Sequence, residues 1–133
     1  MYMSRGQFGA ARARYQSVEL SSRVEGASAH QLVQVLFEEL LKALDAMAAA
    51  ARRGDYAQRG VRLSRALSIL GGLELSLDHE KGGDIARDLA AIYREGRRLA
   101  IAGGRENDVA KIMQAREMLA EIASAWAGIA DRG

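Results

Sequence analysis

The residues able to carry chemistry are few, and their spacing does not make them converge. The chain has two histidines and no cysteine, so a thiolate zinc site, a disulfide scaffold and a cysteine nucleophile are all excluded. A di-iron carboxylate site in a helical protein needs inward-facing Glu-x-x-His pairs, and neither His30 nor His79 has a glutamate three residues before it. Asp78-His79-Glu80 carries ligand-type side chains, but adjacent positions do not close around one ion, and the run reads as a solvated loop. Glu38-Glu39 and Asp84 with Asp88 read as surface charges rather than an acid/base dyad. Gly82-Gly83 lacks the preceding strand and the Lys-Ser/Thr of a phosphate-binding loop, and no nucleophile elbow or dinucleotide fingerprint occurs. No catalytic residue, metal ligand or cofactor is therefore expected, and the chain is not expected to be an enzyme.

The arginines recur at helical spacing. Arg94, Arg97 and Arg98 share one face, and Arg59, Arg62 and Arg65 follow one another at three-residue steps. Such faces suit carboxylates or phosphates, but with partners such as Glu95 close by they read first as solvated faces. Nineteen cations against seventeen anions leave a net charge of +2. Their signs are interspersed, which argues against a nucleic-acid partner.

The elements that position these residues follow from the apolar pattern. At 133 residues, with 49% apolar side chains and no proline, the chain suits one helical domain with an aliphatic core. No apolar run reaches about 18 residues, so no membrane span is expected. The N-terminus has arginines but no apolar core of a secretory signal, so a cytoplasmic location is expected.

Residues 1–25 read as a flexible N-terminal arm whose apolar anchors are Tyr15, Val18 and Leu20, and residues 26–133 as a helical bundle. Ser28 with Gln31 is a capping-box pair, and Val33, Leu36, Phe37, Leu40, Leu44 and Met47 follow as one stripe up to Gly54. Asp55 with Gln58 opens a second helix, whose stripe includes Ala66, Leu70, Leu73 and Leu77. Gly71-Gly72 inside it suggests close packing or a kink. A break over residues 79–83 precedes a third stripe with Ile85, Leu89, Ile92 and Leu99, which Gly103-Gly104 is expected to end. A last helix starts near Glu106 or Asn107 and turns Ile112, Ala115, Leu119, Ile122, Trp126 and Ile129 inward. Helices of this length joined by short loops predict an all-α, antiparallel up-and-down four-helix bundle.

Apolar residues beside the main stripes widen the apolar faces. On the first helix these include Leu32 and Val35, and on the second Val61, Ile69 and Leu75. Such an excess widens the core or forms a groove for another chain, and these five are the candidate groove residues.

Two long segments carry a family resemblance. Val24–Leu44 reads VEGASAHQLVQVLFEELLKAL, and Ala66–Tyr93 reads ALSILGGLELSLDHEKGGDIARDLAAIY. Both resemble the FliS family of flagellin export chaperones. The second shares Ile69, Leu73, Ser76, Leu77, Asp78, Glu80, Gly82, Gly83, Ile85, Ala86, Leu89 and Tyr93 with that family's most distinctive stretch. Leu119–Trp126 is similar to its leucine-rich last helix. Ala29 stands where the family usually has proline, so helix entry depends more on Ser28 as a cap. The spacing from Tyr15 to Val24 is longer than in the commonest form.

The resemblance implies a cytoplasmic chaperone that holds the disordered C-terminal segment of flagellin, prevents its early polymerisation and helps deliver it to the flagellar export gate. It leaves room for a homodimer. An apolar groove suits that task, because it can take amphipathic pieces of a disordered chain. The arm, through Tyr15, Val18 and Leu20, would cover the groove until the client displaces it. A helical adaptor for another export or regulatory protein is the alternative reading.

Overall fold

The computed structural model describes residues 25–129, and the arm anchors Tyr15, Val18 and Leu20 lie outside them. Four helices follow in order: α1 (Ala29–Arg52), α2 (Tyr56–Leu75), α3 (His79–Glu106) and α4 (Val109–Ala127). The connections are so short that each helix must reverse onto its predecessor. Helix α1 packs on α2 and α4, and α3 packs on α4 and α2, which closes a four-helix bundle. The α2–α3 seam is the thinnest of the four. Cross-helix pairs fix the antiparallel register. Asp45 of α1 meets Arg116 of α4 at 3.0 Å, and Glu74 of α2 meets Arg97 of α3 at 2.5 Å.

Local chemistry sets the helix ends. The Ser28 hydroxyl accepts from the Gln31 N–H while the Gln31 side chain accepts from the Ser28 N–H, so two orphan donors are satisfied reciprocally. Gly54, at φ 72°, turns the chain after α1, and Asp55 then caps α2 by accepting from the Gln58 N–H. Asp78 caps α3 and Asp108 caps α4 in the same manner. The core is aliphatic, with Leu36, Leu40, Leu44, Met47, Ile69, Leu70, Ile112 and Leu119 all almost fully buried.

The third helix departs from the expected limits at both ends. The segment expected to be a break, residues 79–83, is its first turn, and the break narrows to Gly83 at φ 51° and ψ −124°. Gly103-Gly104 does not end α3, which runs on to Glu106 and closes at the left-handed Asn107. These two glycines serve packing instead. A Cβ on Gly103 would lie 2.6 Å from Ile112 Cγ1, and one on Gly104 would lie 3.0 Å from Leu63 Cδ2. Gly71-Gly72 likewise stays within α2, where Gly72 is buried.

Candidate functional site

At the end of the bundle that holds the N-terminus of α1 and the C-terminus of α4, all four helices line one apolar cleft. Val33 and Phe37 come from α1, and Leu73 with Ser76 and Leu77 from α2 and its C-terminal cap. Leu89 and Tyr93 come from α3, and Ile122 and Trp126 from α4. The cleft encloses about 360 Å³, counting the space open to solvent.

Helical periodicity extends this apolar surface outward. Ile85 stands one turn before Leu89 on α3 and is 52% exposed. Ile129, expected to face inward at the end of the last helix, lies past the Ala127 end of α4 and is 49% exposed, because no helix packs over it there. An exposed isoleucine in helical register with a cleft wall marks a binding surface more than isolated surface leucines do.

Polar groups around the cleft are satisfied in ways that hold its shape. Ser76 donates its hydroxyl to Gly72 O at 2.5 Å, so it presents no free donor to the apolar wall. Asp78 is buried, and its Oδ1 accepts from the N–H groups of Glu80 and Lys81 at 3.1 Å each. Those bonds offset the cost of burying a carboxylate. The Asp78-His79-Glu80 run is thus the start of a helix, with His79 and Glu80 exposed. Among the described residues no group of three His, Asp or Glu side chains comes together as a metal site. Tyr93 packs tilted on Phe37 with ring centroids 6.3 Å apart. Burial pushes its phenol above the ordinary value and the Glu74 charge adds to this, so the hydroxyl stays neutral.

The five expected groove residues do not share one surface. Leu32, Val35 and Ile69 belong to the core, with exposures of 1%, 9% and 0%. The physical reason is that α1 is flanked on two sides, by α2 and α4, so positions beside its main stripe are covered as well. Val61 and Leu75 do stand exposed, at 56% and 53%, on the outer face of α2. Apart from Ser76 and Tyr93, the cleft residues are members of the apolar stripes, which read as core in the sequence. The one available signal was at the rim: Ile85 continues the α3 stripe one turn past Leu89 and stands exposed.

The arginine faces divide. Arg98 forms a bidentate pair with Glu95 at 2.7 Å, and Arg97 binds Glu74, so both have partners within the bundle. Arg59 donates to Asn107 at 2.8 Å and lies over the Tyr56 ring at 4.8 Å.

Comparison with known proteins gives one consistent result. The family model described as "Flagellar protein FliS" matches residues 11–133. The flagellar secretion chaperone FliS of Salmonella typhimurium is 35% identical over 119 residues, covering 89% of this chain and 88% of the relative. The flagellar secretion chaperone FliSB of Pseudomonas aeruginosa is 30% identical over 116 residues, covering 87% and 92%. The FliS chaperone of Vibrio cholerae is 33% identical over 112 residues, covering 84% and 82%.

Proposed function

Because this chain belongs to the FliS family of flagellar secretion chaperones, we propose that it binds the disordered C-terminal segment of flagellin in the cytoplasm, keeps it from polymerising and presents it for export. The observation that carries this reading is the apolar cleft built from all four helices, with Ile85 exposed one turn before its wall residue Leu89. An amphipathic segment can lay one apolar face along such a surface, with side chains at helical spacing as anchors. The outer α2 residues Val61 and Leu75 extend the contact for a client that wraps the bundle. Ordering a disordered client consumes about 2–5 kcal/mol of gross interaction, which keeps affinity moderate and lets the client leave without nucleotide hydrolysis.

The arm belongs to the same reading. Tyr15, Val18 and Leu20 carry the side-chain types that the cleft takes, and a client segment would displace them. Among the described residues no helix is long and apolar enough to cross a membrane. The proposed work is binding alone, with no cofactor.

The test is a polymerisation assay. Monomeric flagellin is seeded with and without an equimolar amount of this chain, and filament mass is followed by sedimentation. Suppression by the wild-type chain, lost in Ile85→Asp, supports the reading, and filament growth at the unchaperoned rate overturns it. An adaptor for another partner would leave filament growth untouched.

A further inference from the structure

Charge is segregated along the bundle although the composition is nearly neutral. The half with the α1–α2 and α3–α4 loops, residues 42–65 and 102–116, carries nine Lys/Arg against four Asp/Glu. The half with the cleft, residues 25–41, 66–101 and 117–129, carries five against eleven. Interspersion in sequence conceals this, because antiparallel folding stacks the basic stretches of α1, α2 and α4 at one end.

At the inner edge of the basic half a trough of about 610 Å³, counting space open to solvent, runs between α1 and α2. Its walls are Glu39, Lys42, Arg62 and Arg65, and Ala43 and Ala46 form its floor. Glu39 is met by Lys42 at 3.2 Å and by Arg65 at 3.6 Å. Arg62 is exposed and makes no ion pair among the described residues. Three cations thus face one carboxylate over a floor of small side chains. Arg59 and Arg62 continue the cationic row along α2 at one-turn spacing.

We propose that this trough is a second docking surface, one that takes a carboxylate-rich helical segment of a partner protein. Alanines at its floor let a helix approach closely, and Arg62 supplies a planar fork that matches an incoming carboxylate. Glu39 holds the half-buried Arg65 across the α1–α2 seam, so that guanidinium is already oriented before docking. Phosphate polymers fit less well. A long polyanion lying along the bundle would run from the basic half onto the acidic half, whereas a short acidic helix ends within the trough. An anionic bilayer would meet the loop end, where Asp55, Glu106 and Asp108 stand among the cations. The trough opens between α1 and α2 and shares no lining residue with the cleft, so a second protein can be held while the cleft is filled.

The test uses the full chain and a fluorescein-labelled helical 16-residue peptide with glutamates at three- and four-residue steps on an alanine background. Anisotropy is read at about 50 mM salt, where the Debye length still spans the trough. Saturable binding is expected, weakened about tenfold or more by Arg62→Glu and by Lys42→Glu, and little changed by Arg94→Glu on the acidic half. Circular dichroism of each variant verifies the helical fold. Absence of saturable binding, equal loss from Arg94→Glu, or displacement by an oligothymidylate of the same charge as readily as by unlabelled peptide would each overturn the proposal. Flagellin binding at the cleft is unaffected by either result.

Discussion

His30 and Trp126 clasp the first turn of α1 to the last turn of α4. Their rings stack with centroids 4.8 Å apart at 16°, Trp126 Nε1–H donates to His30 O at 3.0 Å, and His30 Nε2 lies 3.0 Å from Trp126 O. A carbonyl only accepts, so Nε2 carries the proton. The pair closes the helix ends beside the cleft that Trp126 lines. Trp126→Phe keeps much of the stack and removes the Nε1 donor, and is expected to cost about 0.5–1.5 kcal/mol in urea denaturation. His30→Ala removes the stack and one hydrogen bond, and should cost about 1–3 kcal/mol. Both should weaken client binding, because the cleft wall loses its anchor.

The glycines give a prediction of opposite signs. Alanine normally stabilises a helix interior over glycine by about 1 kcal/mol. At Gly60 of α2 a Cβ meets nothing within 4 Å, so Gly60→Ala should raise stability by roughly that amount. At Gly103 of α3 the same change drives a Cβ to 2.6 Å from Ile112, and overpacking should lower stability by about 1–3 kcal/mol. Thermal melts of the two variants separate a packing glycine from an unconstrained one.

Alkaline stability should trace to Tyr93. Burial raises its folded-state pKa above the ordinary 10.0, so the neutral phenol is favoured by folding. That contribution is fully present below pH 10 and is lost as pH rises above it, because the unfolded chain ionises first. Unfolding free energy measured from pH 8 to 11 should fall at the top of the range, and Tyr93→Phe should flatten the fall.

Core and surface members of the apolar set should separate cleanly under charge. Leu32→Asp and Ile69→Asp place a carboxylate where no water reaches, and should abolish cooperative melting. Val61→Asp and Leu75→Asp sit on the exposed outer face of α2 and should melt within about 0.5 kcal/mol of wild type. Their effect, if the client wraps this face, appears only in binding.

The sequence made the bundle legible because its signals were local. The Ser28/Gln31 box, the Asp55 cap and the apolar stripes each depend on residues within a turn or two; box and cap appear in the structure, and the stripes pack inward except at Ile85 and Ile129. What it obscured depends on neighbours. A helical wheel places Leu32 and Ile69 beside their stripes but cannot tell how many helices flank them. Gly103-Gly104 looks like a terminator because a glycine pair that stops a helix and one that admits Ile112 read alike. The cleft was hidden for a related reason. Phe37, Leu89 and Trp126 are indistinguishable from core residues until the helix ends are seen to leave space between them.

The central claim is that the apolar cleft holds flagellin, and calorimetric titration tests it most directly. A C-terminal flagellin peptide is titrated into the wild-type chain and into Ile85→Asp, at several temperatures and two salt concentrations. One-to-one binding with a negative heat-capacity change and weak salt dependence, lost or weakened about tenfold or more in Ile85→Asp while helicity is retained, is the predicted result. Absence of heat with wild type, or binding that Ile85→Asp leaves unchanged, would contradict the account.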